Sequence, residues 1–109
     1  MAESLQLLKG TLDVLVLKAL SWGPMHGFGV AAWIEQGTAG DLAVEDGALY
    51  QALHRMEERA LIEGEWGTTD NNRRAKFYRM TRKGRQHLAA ETAMWERYAR
   101  AVTGLLQTA

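Results

Sequence analysis

The chain has 109 residues, no cysteine, 47% hydrophobic residues and a formal net charge of zero at pH 7. This composition fits one globular domain and excludes a disulfide framework, thiol chemistry and a disordered chain. Charged residues interrupt the apolar stretches and the first residues lack the pattern of a secretory signal, so we expect a cytoplasmic protein without a membrane partner.

The first helix is predicted over residues 5–21, because apolar side chains recur there at spacings of four, three and four. A Gly-Pro pair that follows ends this helix. A second, short helix is predicted over residues 27–36, with Val30 and Ile34 one turn apart, and residues 40–44 form a linker. The apolar stripe of the first helix comprises Leu8, Leu12, Leu15 and Ala19.

The third helix is predicted over residues 46–60, with Glu45 and Asp46 at its start, where the helix dipole favours carboxylates. Its apolar stripe comprises Leu49, Leu53, Met56 and Ala60. The opposite face offers side chains that can meet DNA, namely Ala48, Gln51, His54 and Arg55, with Tyr50 at the edge. Gln can read adenine, and Arg can read guanine or hold phosphate, but the same pattern also fits an ordinary polar helix surface.

A β-hairpin is predicted after the third helix, because polar and apolar residues alternate there. Its two strands and the polar loop between them take residues 62–66, 75–80 and 67–74. Asn71 and Asn72 in the loop tolerate a left-handed backbone. We expect Trp66 and Tyr78, on opposed strands, to pair across the hairpin as part of the core.

The last helix is predicted over residues 81–106, with Thr81 as its N-cap. A helix of about 26 residues extends roughly 39 Å, which is longer than the body of a small domain can cover. We therefore expect the same helix of a second subunit to cover its apolar face. The predicted dimer contacts follow a four-three spacing and comprise Leu88, Thr92, Trp95, Ala99, Val102 and Leu106.

Residues 73–85 carry seven of the thirteen Lys and Arg residues and no acidic residue, which leaves six basic against thirteen acidic residues elsewhere. Such segregated charge creates a positive field suited to phosphate, although a basic run is often only a solvated face. Three helices and a two-stranded wing form the winged helix-turn-helix arrangement, in which helix three enters the major groove and the wing meets flanking DNA. We predict this mainly α fold with a small β-hairpin over residues 5–80, followed by a dimerisation helix over residues 81–106.

The chain resembles the PadR family of bacterial transcriptional regulators over about residues 8–106. The matching stretches are GTLDVLVLKAL (10–20), GPMHGFGVA (23–31), DGALYQALHRMEERALIEGEWG (46–67) and NNRRAKFYRMTRKGR (71–85). The resemblance implies a homodimer that binds a palindromic operator, usually represses transcription and in many members leaves DNA when a small molecule binds. It places Tyr50, Gln51, His54 and Arg55 on the recognition helix and Arg73, Arg74 and Lys76 on the wing.

The chain departs from the family pattern at several of these positions. Glu45 occupies the position at the start of helix three where the family usually has Ser or Thr, and Ala48 occupies a position where Thr is common. Both differences remove a hydroxyl group that could cap the helix or contact phosphate. Gln51 stands where Pro is frequent and offers an amide that can read a base. The usual Asn-Gly of the wing is Asn71-Asn72, which changes the turn geometry.

Aromatic residues outside the DNA-binding set each have two interpretations. Trp95 belongs either to the dimer core or to a flat aromatic ligand pocket between subunits, with Met94 and Tyr98 as its neighbours. Trp33 is either a packing residue at the boundary of the core or part of a contact surface.

No chemistry of an enzyme or a metal site is predicted. The three histidines stand alone, and we expect His26 to contact backbone near the start of helix two. No catalytic motif is present, so we expect no metal, no cofactor and no enzymatic activity. The competing function is a winged-helix protein-interaction module that does not bind DNA, favoured by the acidic remainder of the chain and by Glu45-Asp46 near helix three.

Overall fold

A computed structural model of the chain describes residues 5, 7, 8 and 10–109. The elements in chain order are α1 (Thr11–Leu20), β1 (Met25–His26), α2 (Gly27–Gly37), α3 (Asp46–Glu58), β2 (Ile62–Thr68), β3 (Arg74–Met80) and α4 (Arg82–Leu106). The three strands form one antiparallel sheet in the order β1-β3-β2. The predicted fold class, a winged helix-turn-helix with a long C-terminal helix, is confirmed. Within the described residues, no helix is long and apolar enough to cross a bilayer.

Helix α1 is shorter than predicted, because it begins at Thr11 rather than at residue 5. Gly10 precedes it with φ at 87°, a left-handed conformation that a continuing helix does not pass through. Leu5 instead lies extended, and its backbone N–H donates to the carbonyl of Asp41 at 2.6 Å. Leu8 is therefore exposed and outside the helix, and residues 6 and 9 of the predicted helix lie outside the described residues.

The core lies where α1, α2 and α3 pack together and against the base of the sheet. Val30 and Ile34 of α2 are buried as predicted. Of the stripe predicted for α3, its first three members are fully buried, and each large apolar side chain there contributes about 1.5–3 kcal/mol. Ala60 is exposed, because α3 ends at Glu58 and Ala60 takes a left-handed φ of 58°.

The wing is a hairpin of β2 and β3 whose strands run further toward the tip than predicted, so the loop covers only residues 69–73. Asn72 takes the left-handed backbone with φ at 59°, and Asn71 does not. The expected pairing of Trp66 with Tyr78 is wrong: Trp66 faces Lys76, and Gly64 faces Tyr78. Tyr78 is 6% exposed and joins the core, whereas Trp66 lies further out on the wing and is 59% exposed.

Strand β1 is a third strand that the sequence pattern did not predict. It pairs with β3 through Met25 opposite Tyr78 and His26 opposite Phe77. His26 then caps α2, because its Nδ1 accepts a hydrogen bond from the backbone N–H of Gly29 at 3.1 Å. The predicted position of His26 at the start of the second helix is confirmed.

Helix α4 begins with the predicted cap. Thr81 Oγ1 accepts from the backbone N–H of Gly84 at 3.0 Å and donates to the carbonyl of Ala60 at 2.7 Å. Within α4, which is described in full, Gly84 alone is buried, and it lies directly against the main chain at Leu61. Leu88 packs against the core, whereas every residue of the helix beyond Glu91 except Ala99 is exposed.

Candidate nucleic-acid interface

The outward face of α3 carries the five residues predicted to meet DNA. All five, Ala48, Tyr50, Gln51, His54 and Arg55, are exposed, while the intervening apolar side chains fix the helix to the core. Among the described residues, the Gln51 amide makes no hydrogen bond. Tyr50 lies against the start of α2, where a Cβ added at Gly27 would be 3.3 Å from its Oη. The N-terminal half of α3 thus presents an amide, a phenol and a small Ala side chain to solvent.

The two basic members of this face already have acidic partners. His54 Nε2 lies 2.8 Å from Glu58 Oε1 one turn further along α3. Arg55 Nη2 donates to Asp13 Oδ1 of α1 at 2.9 Å. The His54 and Arg55 side chains are 73% and 54% exposed, and ion pairs at the surface contribute little to stability, so both side chains stay available to an anion.

The wing places two guanidinium groups at its outer end. Arg73 lies in the tip loop, and its side chain has no partner among the described residues. The Arg74 guanidinium lies 4.9 Å from the centre of the exposed Trp66 ring, a cation–π contact that orders it without removing its charge. Both groups can approach phosphate oxygens.

Lys76, the third predicted wing contact, lies closer to the body and is paired. Its Nζ donates to Glu57 Oε1 of α3 at 2.9 Å, and both side chains are about 30% exposed or less. This hydrogen bond from the ammonium to the Glu57 carboxylate raises the pKa of Lys76 above its ordinary value, while partial burial acts in the opposite direction. Glu57 therefore joins the last turn of α3 to the wing.

The rest of the basic run has mixed surroundings. Arg79 makes two hydrogen bonds to Glu63 across the hairpin, at 2.7 and 3.1 Å. Lys83 donates to the main-chain carbonyl of Arg59 at 2.9 Å rather than to an acidic residue. Arg82 and Arg85 are exposed, and neither has a side-chain partner within the described part of the chain.

The C-terminal helix brings the three predicted pocket residues together. Met94, Trp95 and Tyr98 line an open cavity of about 370 Å³ with Leu8 and Glu91. The rings of Trp95 and Tyr98 lie 6.3 Å apart, tilted by 35°. Of the predicted dimer contacts, Leu88 and Ala99 are half-buried, and the exposed members are Thr92, Trp95, Val102 and Leu106.

Trp33 packs against the core, as in the first of its two interpretations. Among the described residues, no three His, Cys, Asp or Glu side chains come together in a group that could hold a metal ion.

Sequence reasoning missed the contacts that join distant parts of the chain at this site. Glu57 and Lys76 are nineteen residues apart, and Arg55 and Asp13 are forty-two apart. No local periodicity links such pairs. Opposite charges on α1, α3 and β3 were the available signal, and only the packing of α1 and the wing against α3 turns them into contacts.

Known proteins share both this fold and the sequence pattern. Residues 16–90 match the transcriptional regulator PadR-like family. A PadR-like transcriptional regulator from Bacillus cereus is 27% identical, with a TM-score of 0.80 over 94% of this chain and 97% of that one. A PadR family transcriptional regulator from Eggerthella lenta is 29% identical, with a TM-score of 0.78 over 93% and 86%.

Two further proteins match at lower sequence identity. A transcriptional regulator from Clostridium thermocellum has the same fold at 22% identity, with a TM-score of 0.83 over 91% of this chain and 93% of that one. An uncharacterised protein from Lysinibacillus sphaericus is 24% identical over 89 residues, which is 82% of each chain. Because the family match spans well over half of its residues, the chain belongs to the PadR-like family of transcriptional regulators, which are DNA-binding proteins.

Proposed function

We propose that the protein is a homodimeric repressor that binds a palindromic operator, with α3 in the major groove and the wing on flanking DNA. The observation that carries the proposal is the joint exposure of the α3 face and of the two wing guanidinium groups, which project from a fold shared with transcriptional regulators. Phosphate contacts from the wing fix the position on the duplex, and contacts from α3 read the base edges.

Base reading is assigned to the N-terminal half of α3. Gln51 has a free amide that can bond adenine in a bidentate manner, and Ala48 is small enough to touch a thymine methyl group. The C-terminal half carries Glu58, whose charge opposes approach to phosphate, and Glu57, whose charge is balanced by Lys76. Arg55 exchanges Asp13 for a phosphate or a guanine when the helix docks.

The dimer is supported by the apolar surface that one chain leaves uncovered on α4. Val102 is 39% exposed and Leu106 is 78% exposed, and both lie on the stripe that also carries Trp95. Packing this stripe against the same helix of a second copy gives a two-fold dimer, and a two-fold dimer matches a palindrome. Repression follows the usual behaviour of the family, because an occupied operator excludes other proteins from the promoter.

Release by a small molecule is the last part of the proposal. The cavity beside Trp95 and Tyr98 is large enough for a compact aromatic ligand and lies beside the dimer stripe. A ligand there would change the packing of the two α4 helices and thereby the distance between the two α3 helices.

A salt titration with a promoter fragment from the chain's own upstream region tests DNA binding. Replacing Arg73 with Ala should flatten the slope of log K against log salt by about 0.9 for each wing, hence by about 1.8 for the dimer, since each wing loses one phosphate contact. Arg97→Ala removes the same charge from an exposed position on α4 and should leave the slope unchanged. An unchanged slope for Arg73→Ala would show that Arg73 does not contact a phosphate group. If the wild-type chain binds no DNA at low salt, the protein-interaction module replaces this proposal.

Base reading needs its own measurement. Gln51→Ala should relax the preference at one base-pair position per half-site, at a cost of about 1–3 kcal/mol on the preferred sequence. Selection of binding sites from a randomised pool shows this change. An unchanged preference would place base reading elsewhere on α3.

A further inference from the structure

The last turn of α3 and the wing are joined by one ion pair, Glu57 with Lys76, called here the helix–wing ion pair. Its atoms Oε1 and Nζ are 2.9 Å apart, and the two side chains are 27% and 30% exposed. Glu57 follows the base-reading half of α3 on the same rigid helix. Lys76 lies on β3, two residues from Arg74 at the end of the wing.

Gly64 provides the space through which this ion pair forms. A Cβ added at Gly64 would overlap Cε of Lys76 and would lie 3.2 Å from Oε2 of Glu57. The Lys76 side chain therefore crosses β2 over Gly64, where no side chain is in the way. The ammonium group also lies 5.5 Å from the centre of the Tyr78 ring, which keeps its stem against the sheet.

We propose that the helix–wing ion pair fixes the orientation of the wing relative to α3, so that Lys76 is a positioning residue and not a phosphate ligand. This inference rests on the proposed function. A hairpin hinged only at its base can tilt, and a tilt of the wing changes the distance between the Arg74 guanidinium and the base-reading face. The ion pair selects the tilt at which both surfaces meet the same duplex.

The two roles of Lys76 predict opposite effects of removing the Glu57 charge. If Lys76 contacts phosphate, Glu57 competes with DNA, and Glu57→Gln strengthens binding. If the ion pair positions the wing, Glu57→Gln weakens operator binding, because fewer molecules hold the competent tilt. A partly exposed pair biases two orientations by at most about fivefold, so the expected loss of operator affinity is about two- to fivefold.

The experiment measures operator affinity across salt for Glu57→Gln, Lys76→Met and the double variant, all as full chains. We expect each single variant to bind about two- to fivefold more weakly, the double variant to bind no more weakly than either, and all salt slopes to match the wild type. Lys76→Arg keeps the ion pair and should restore near-normal binding. Glu58→Gln, which removes the same charge one residue along, should not weaken binding. Stronger binding by Glu57→Gln, or a slope reduced by about 0.9 per wing (about 1.8 for the dimer) for Lys76→Met, overturns the proposal.

A measurement without DNA separates this inference from the proposed function. The chain has no cysteine, so spin labels can be attached at Gln36→Cys and Asp70→Cys, two exposed positions on α2 and on the wing tip. Labelled chain is mixed with excess unlabelled chain. We expect Glu57→Gln to broaden the label-to-label distance distribution. Failure of the wild-type chain to bind DNA would overturn the proposed function. An unchanged distance distribution in Glu57→Gln would, independently of DNA binding, overturn the positioning role of the ion pair.

Discussion

Substitution of Gly84 by Ala should destabilise the protein, although Ala is the better helix former. A Cβ at this position would overlap the carbonyl oxygen of Leu61 and would lie 2.8 Å from Cγ of Met80 and 3.1 Å from the carbonyl carbon of Leu61. Two of these neighbours are main-chain atoms, which cannot rotate away as the end of a side chain can. The first turn of α4 must therefore move away from the residues that enter β2.

The expected change in the free energy of unfolding combines two destabilising contributions and one stabilising contribution. Overpacking of this kind costs about 1–3 kcal/mol. Displacing α4 also weakens the hydrogen bond from the Thr81 N–H to the Leu61 carbonyl, now 3.0 Å long, which contributes about 1 kcal/mol. The higher helix propensity of Ala returns about 1 kcal/mol. The net loss in the free energy of unfolding is about 1–3 kcal/mol.

Gly104→Ala is the matched control, because it makes the same substitution in the same helix. No atom lies within 4 Å of a Cβ added at Gly104. This variant should gain about 1 kcal/mol from helix propensity alone. Thermal unfolding at one fixed protein concentration measures both variants, and each 1 kcal/mol should shift the midpoint by roughly 4–8 °C. A Gly84→Ala protein as stable as the wild type would refute the packing argument for this glycine.

Three further predictions concern the C-terminal helix and the sheet. Val102→Asp should give monomers in sedimentation experiments and abolish tight operator binding, because a carboxylate would be buried in the proposed dimer; a dimeric variant would show that the interface lies elsewhere. Thr81→Ala should cost about 0.5–2 kcal/mol in denaturant unfolding and Thr81→Ser much less, and equal losses would assign the effect to packing rather than to the cap. Burial raises the pKa of Tyr78, and the hydrogen bond to Glu57 raises the pKa of Lys76. The folded protein therefore holds both protons more tightly than the unfolded chain. Its free energy of unfolding should be at its full value below about pH 10 and should fall as pH rises through the two folded-state pKa values. Unfolding measured from about pH 8 to about pH 12 should show this loss.

The helices were predictable because their apolar periodicity and their caps are local. Leu49, Leu53 and Met56 are buried at the spacing read from the sequence, and Thr81 caps α4 as expected. The start of α1 was not predictable from periodicity, because Leu8 continues the pattern while Gly10 interrupts the backbone. An apolar period shows where a helix can form, and a left-handed glycine decides where it begins.

The interior of the hairpin was harder to predict than its existence. Alternation identified both strands, but the register depends on which residues of β2 and β3 lie opposite each other. Gly64, not Trp66, faces Tyr78, and this choice leaves Trp66 exposed on the wing beside Arg74. Strand β1 has only two residues, so it has no period to detect.

The candidate site was predicted as a set of residues but not as a set of contacts. Arg73 and Arg74 are exposed at the end of the wing, where the basic run suggested they would be. Lys76, from the same run, instead forms an ion pair with α3. The sequence shows how many basic residues the run contains. Only the three-dimensional packing shows which of them are exposed, as Arg73 and Arg74 are, and which form an ion pair, as Lys76 does.

In the proposed dimer, the exposed outer part of α4 would make the DNA-binding state of the protein depend on its concentration. From Thr92 onward the helix has few contacts with its own domain, and isolated helices of about 15 residues are marginal in water. In the proposed dimer, that segment gains its packing only when a second copy arrives. The amount of dimer would then rise with the square of the monomer concentration. The order in α4, the pairing of the two winged domains and the occupancy of both half-sites would rise with it. A small change in synthesis would produce a larger change in operator occupancy.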